Sequence, residues 1–221
     1  GVPGAGKTLA GLNIANERLK ADESEHSVFL SGNGPLVDVL REALTRDSVE
    51  SAKKRGQKIS RTEAERKAKA FIQNIHHFRD DNLGSEVAPT EKVVVFDEAQ
   101  RAWQKEQVSK FMQQKKGIPN FDMSEPEYLI SVMNRHDDWC TIICLIGGGQ
   151  EINTGEAGVS EWIESLKTKY QAWDIYYSDK ILAEPNTYLN DLDLSNWVRE
   201  HGHQRSDLHL STSVRSFRSE K

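Results

Sequence analysis

The stretch GVPGAGKT at positions 1 to 8 constrains this chain more than any other, because each of its residue types answers a geometric demand. Gly1, Gly4, Gly6, Lys7 and Thr8 satisfy the pattern G-x-x-x-x-G-K-[ST] in full, the signature of a loop that joins a buried strand to a helix. Glycines let successive backbone N–H groups turn inward around a phosphate. Lysine places a point charge on the β and γ phosphates, and the threonine hydroxyl is a ligand for Mg²⁺. The helix that follows adds the positive end of its dipole. The residues expected to line such a loop are Gly1, Gly4, Ala5, Gly6, Lys7, Thr8 and Leu9, with Thr8 also facing the metal. Taken alone, the match also fits a glycine-rich turn before an ordinary helix. A chain that starts at Gly1 starts on the loop itself, so the strand that carries the loop is expected ahead of it. Its expected place is the sheet interior, beside the strand that ends at Asp97.

A second motif narrows the choice. EKVVVFDEAQ is a β-branched apolar run ending in two acids, the pattern of a parallel strand buried on both faces. An acid at the end of such a strand is where a nucleotidase holds its metal. Asp97 is the expected Mg²⁺ residue, acting mostly through water, and Glu98 the base that accepts a proton from the attacking water. The plain alternative for the pair is an acidic cap after a core strand.

Strand and helix alternate along the rest of the chain. KTLAGLNIANERLK reads as an amphipathic helix with Leu9, Leu12, Ile14 and Leu19 near one face, and SVFLSGN as a short strand. PLVDVLREAL has a proline in helix-starting position. Residues 46–76 turn charged and then regain helical periodicity, which reads as a helical insertion. MSEPEYLISVMNR offers a capping box, Ser124 with Glu127, and DWCTIICLIGGG is a second buried strand. EWIESLKTKY, AWDIYYS and LHLSTSV continue the alternation. The class is α/β with a mostly parallel sheet.

Composition sets the outer limits. With 221 residues, 37% of them hydrophobic, the chain can bury one substantial core. Its longest apolar runs, VVVF and CTIICLI, fall well short of the roughly 20 residues a membrane span needs. Cys140 and Cys144 lie in one strand-like run, about 13 Å apart at strand rise, so a disulfide between them is excluded and a reduced, cytoplasmic setting is expected. The net charge of −5 gives no global attraction to nucleic acid, so any such binding is local.

DEAQ (97–100), LIGGGQEIN (145–153) and LSTSVRS (210–216) follow one another in the order of helicase motifs. On these stretches the chain resembles superfamily 1 helicases, and most closely the Schlafen-type DNA/RNA helicase family, nearly end to end. The resemblance implies a three-layer RecA-like P-loop NTPase that uses ATP and Mg²⁺ and acts on DNA or RNA, with single-stranded nucleic acid the expected partner. It implies that Gln150 senses the γ-phosphate and that Arg215 is the arginine finger, with Leu210, Ser213, Val214 and Ser216 on the same motif. Two departures stand out. Gly147-Gly148-Gly149-Gln150 replaces G-D-x-x-Q, one residue shorter and without its aspartate, and Ser213-Val214 replaces Asn-Tyr. A plain strand-to-helix turn at 147–150 and a surface ion pair at Arg215 remain the alternatives, with Arg218 the nearest competitor. By the resemblance, residues 1–206 are a first motor lobe and 207–221 the start of a second RecA-like lobe.

Residues 51–70 carry eight basic side chains (Lys53, Lys54, Arg55, Lys58, Arg61, Arg66, Lys67 and Lys69) against two acids, a candidate contact for backbone phosphates or a solvated helical face. SGNGP (31–35) sits after the second strand, counting the one expected ahead of Gly1, where helicases of this kind often place a strand-contacting motif, and its small polar residues and free N–H groups suit a phosphodiester backbone. His201, His203 and His209 have no common metal spacing, and the five tryptophans are too scattered for a base-stacking platform. Three other readings share part of the site. A nucleotide switch acting on a protein partner would not need Arg215, a binding module without turnover would leave Glu98 idle, and a small-molecule kinase fits the Asp-Glu pair less well.

Overall fold

The computed structural model describes residues 5–21, 26–147, 156–183 and 188–211. In chain order the elements are α1 (Lys7–Ala21), β1 (His26–Ser31), α2 (Gly34–Lys54), α3 (Arg61–Phe71), β2 (Ile72–Asn74), α4 (Ile75–Asp81) and β3 (Glu91–Asp97). After them come α5 (Lys105–Phe111), α6 (Glu125–Met133), β4 (Thr141–Leu145), α7 (Gly158–Lys169), β5 (Ile175–Ser178), α8 (Lys180–Ala183), α9 (Leu192–His201) and β6 (Gly202–Arg205). They form two compact units, one of Ala10–Asp97 with Met133–Cys144, the other of Gly1–Leu9, Glu98–Val132 and Leu145–Lys221.

The first of these units is built on a four-stranded sheet in the order β2-β1-β3-β4, with β1 parallel to both β2 and β3. The expected α/β parallel architecture is therefore what the chain adopts. Val28, Phe29 and Leu30 of β1 and Val93 to Phe96 of β3 are buried, as the β-branched pattern requires of strands covered on both faces. Burial of each such side chain contributes about 1.5–3 kcal/mol. α1 covers the sheet differently from the expectation. Leu9 is 63% and Ile14 40% exposed, whereas Gly11 and Ala15 form the buried stripe. Small residues let the helix come close, and the Ser27 hydroxyl donates to the Ala15 carbonyl at 2.6 Å.

The strand expected ahead of Gly1 cannot take the place assigned to it. A strand has two edges, and those of β3 are filled by β1 and β4. Among the described strands of this sheet the open edges belong to β2 and β4. β4 is accordingly half-buried rather than fully buried, and Cys144 within it and Cys140 just before it are free. Burial pushes the Cys144 thiol up to about 12.

Residues 46–76 hold the second half of α2, then α3, β2 and the start of α4. The helical reading holds as far as Phe71. After that, Ile72–Asn74 is an edge strand of the sheet, because the apolar FI pair that follows the charged helix finds its burial against β1. Arg41 of α2 donates its Nε–H to the Ile72 carbonyl at 2.7 Å and so satisfies one group of that edge. Ser60 caps α3, accepting the Glu63 N–H at 3.1 Å.

In the other unit, α7, β5 and α9 enclose a core of Val159, Ile163, Tyr177, Leu189, Leu194 and Val198. Ser124 caps α6 as expected, accepting the Glu127 N–H at 3.2 Å, while the Glu127 carboxylate turns to Lys169. Among the described residues the last strand precedes LHLSTSV, whose end at 212–214 lies outside them. β6 is Gly202–Arg205, parallel to β5, and 206–208 form a 3₁₀ turn. Gly202 tolerates nothing larger at this junction, since a Cβ there would lie 2.9 Å from the Val198 carbonyl oxygen. No helix among the described residues is long and apolar enough to cross a membrane.

Candidate functional site

The glycine-rich loop enters the described structure at Ala5, which is buried, and Gly6, whose φ of 75° is a conformation that only glycine adopts without strain. α1 begins at the next residue. Lys7 and Thr8 are its first two positions, half-buried, and no acid stands in its first turn to compensate the positive dipole end. Gly1 and Gly4 lie outside the described residues. Leu9 directs its side chain to solvent, which leaves its backbone as the part suited to a ligand.

β3 delivers the acids. In register across the sheet, Ser31 of β1 stands opposite Asn74 of β2 and Asp97 of β3, so three strands end level with polar residues at their carboxyl ends. That edge is where open parallel sheets bind ligands. Asp97 is 2% exposed. The chain then turns sharply. Glu98 adopts φ 51° and ψ 48°, left-handed backbone that costs a non-glycine residue roughly 1–2 kcal/mol. The turn takes the second carboxylate off the strand and leaves its side chain 39% exposed, so neighbouring acids of one motif have opposite environments.

Residues 99–104 are braced from several directions. Trp162 Nε1–H donates to the Ala99 carbonyl at 2.9 Å, Ala157 N–H to the Ala102 carbonyl at 2.7 Å, and Trp103 exchanges backbone and side-chain bonds with buried Glu125. Gln100 is buried. Its Oε1 accepts the Gly147 N–H at 3.2 Å, while its Nε2 finds no partner among the described residues. This amide ties DEAQ to the start of the glycine-rich segment at 147–150. Sequence reasoning gave it no role, although a neutral amide closing an acidic motif was the available signal. Gln150 and Arg215, with Ser213, Val214, Ser216 and Arg218, fall outside the described residues.

SGNGP is a polar helix entry. Asn33 donates its N–H to the Ser31 hydroxyl at 3.2 Å and caps α2 by accepting the Leu36 N–H at 3.2 Å. At the far end of α2, the basic segment is partly neutralised: Lys54 pairs with Glu50, Arg61 with Glu42, Lys67 with Glu63 and Lys69 with Glu65. Arg46 and Arg61 hold the Glu42 carboxyl below the usual carboxylate range. Lys53, Arg55, Lys58 and Arg66 have no acidic partner among the described residues, and the first three crowd the turn between α2 and α3. The histidines expected not to bind metal make other contacts. His201 stacks on Trp197 and His203 packs against Tyr176.

Comparison with known proteins agrees with the motif order. The family model described as Schlafen group 3, DNA/RNA helicase domain, matches residues 1–221. No curated protein matches the chain. Among solved structures, the Hef helicase domain of Pyrococcus furiosus is similar at 18% sequence identity and a TM-score of 0.44. The likeness covers 98% of this chain and 36% of that one, so the chain spans about a third of the length of that structure. Since the family match takes in the glycine-rich loop, the DEAQ turn and everything between and beyond them, the chain belongs to the Schlafen group 3 DNA/RNA helicase domain family.

Proposed function

We propose that this chain is the ATP-hydrolysing part of a nucleic-acid motor, coupling nucleotide turnover to movement on DNA or RNA. The observation that carries the reading is the split environment of Asp97 and Glu98: a buried carboxylate closing a central parallel strand, followed at once by a more exposed one set off by left-handed backbone. Membership of a helicase-domain family supports a role on nucleic acid in general.

The residues suit ATP and Mg²⁺. A glycine at φ 75° keeps the loop free of a Cβ at its entry to α1, and the Thr8 hydroxyl and Asp97 carboxylate are hard oxygen donors of the kind Mg²⁺ takes. When bound, the metal neutralises charge on the β and γ phosphate oxygens. In this proposal the backbone N–H groups of Gly1, Gly4, Ala5, Gly6, Lys7, Thr8 and Leu9 cradle phosphate, and Lys7 adds its charge. Glu98 orients water and takes its proton. Gln150 reads the γ-phosphate, and Arg215 answers the developing negative charge in concert with a second RecA-like lobe. The test is phosphate release by the full-length protein with and without single-stranded DNA or RNA. Mg²⁺-dependent turnover that rises several-fold with one of them is expected. Turnover indifferent to both polynucleotides leaves a switch acting on a protein partner and sinks the motor.

The basic turn between α2 and α3 is the proposed phosphate contact. Exposed ion pairs of the kind found along α3 are worth at most about 1 kcal/mol, so they do not lock its cations away from a polyanion. Joint replacement Lys53→Gln, Arg55→Gln and Lys58→Gln is expected to weaken single-strand binding. The slope of log affinity against log salt should become shallower by about 2, near 0.7 per lost phosphate contact. Fluorescence anisotropy at several salt concentrations reads both. An unchanged slope means a merely solvated turn.

A further inference from the structure

We infer that Arg101 is a positioning residue for Glu98, itself steered by Glu156; the inference rests on the ATP-hydrolysing reading above. Glu98 leaves the strand with its side chain 39% exposed, and an exposed glutamate samples many rotamers, so fixing one costs conformational entropy. A base that must meet one water needs a third group to aim it. Residues i and i+3 eclipse in a 3₁₀ turn, and the turn Ala99–Arg101 sets Arg101 three residues on from Glu98. Its Nε lies 2.8 Å from Glu98 Oε2.

The same guanidinium reaches a second carboxylate, Nη1 lying 3.8 Å from Glu156 Oε1. Glu156 is only 14% exposed in its side chain, and its backbone is held twice: by an antiparallel bridge to Trp103, and by Gln104, whose Nε2–H donates to its carbonyl at 3.0 Å. Ala157 extends the same clasp to Ala102, and Trp162 fastens the turn at Ala99. Arg101 therefore spans from the proposed base to Glu156, which lies a few residues past LIGGGQEIN in the sequence. A planar fork of five N–H donors can serve two carboxylates at once, which the single ammonium of lysine does less well. Because Glu98 and Arg101 are both partly exposed, their ion pair adds little stability. Its loss is expected in turnover and not in folding.

The experiment measures nucleic-acid-stimulated ATPase kinetics and melting of the full-length protein carrying Arg101→Met, Arg101→Lys or Glu156→Gln, each with Glu98 intact and with Glu98→Gln. With Glu98 intact, Arg101→Met is expected to lower kcat about tenfold with KM changed less than about twofold, Arg101→Lys to recover part of the loss, and Glu156→Gln to lower kcat about threefold. With Glu98→Gln, neither Arg101→Met nor Glu156→Gln should slow the enzyme further. Equal losses in both backgrounds, or an unchanged kcat in Arg101→Met and Glu156→Gln, overturn the inference while leaving the ATPase reading in place. Wild-type turnover of Glu98→Gln alone overturns the inference together with the role of Glu98 as base, whereas absence of Mg²⁺-dependent turnover in the unsubstituted protein overturns the ATP-hydrolysing reading. If Arg101→Met fails to fold, Glu156→Gln decides on the same criteria.

Discussion

Lys7→Ala in the full-length protein is expected to abolish nucleotide turnover and leave folding intact. The lysine occupies the first position of α1, directly after Gly6, whose backbone demands glycine. At that point the helix offers its positive dipole end, with no acid in the first turn to offset it. Those features attract phosphate but are diffuse. The side-chain charge is what would follow the β and γ oxygens as negative charge shifts during transfer, and alanine removes it entirely. The helix itself should not suffer, because alanine is the best helix former and the position lies at the helix end. Phosphate release and circular-dichroism melts on the same preparation test both halves. Wild-type turnover in the variant would refute the assignment of residues 1–8 as the phosphate loop. A melt lowered by many degrees would mean that Lys7 is structural.

The features that could be read directly were those in which chemistry dictates residue type. A β-branched run can be covered on both faces only in a sheet interior, and β1 and β3 are there. A G-K-T run needs a glycine at positive φ, and Gly6 has it. What escaped reading depends on packing. α1 looked amphipathic through its leucines, yet close approach selects small residues, and Gly11 and Ala15 carry the contact while Leu9 and Ile14 face solvent. β2 is three residues long, too short for any period to show, and its existence is decided by the neighbouring edge of β1. The requirement that loop and acid share a metal puts the strand expected ahead of Gly1 beside β3, yet both sides of β3 are taken by β1 and β4, and no sequence pattern reports strand order. In the candidate site, the acids were legible from their place at the end of an apolar run. The left-handed backbone at Glu98, the Gln100 amide on Gly147 and the Arg101 bridge were not, since each depends on a partner distant in sequence or on a torsion.

Glu98→Gln is expected to keep ATP binding and slow hydrolysis by about 10² to 10⁴-fold, the usual worth of a general base. Glutamine matches glutamate in shape and leaves the left-handed backbone at this position no more strained than before. It cannot accept the proton that water must give up. The substitution also weakens the ion pair to Arg101, which lies near the surface and is worth about 1 kcal/mol at most, so the melt should move by only a few degrees. Asp97 stays buried and unchanged beside it, and the residues proposed to hold phosphate and Mg²⁺ are untouched, which is why affinity should survive. Binding measured with a fluorescent ATP analogue, against single-turnover hydrolysis at saturating nucleotide, separates the two quantities. Tight binding with stalled chemistry identifies Glu98 as the base. Collapsed affinity with normal residual turnover would instead make it a structural support for the loop, and catalysis would then have to be sought elsewhere in the chain.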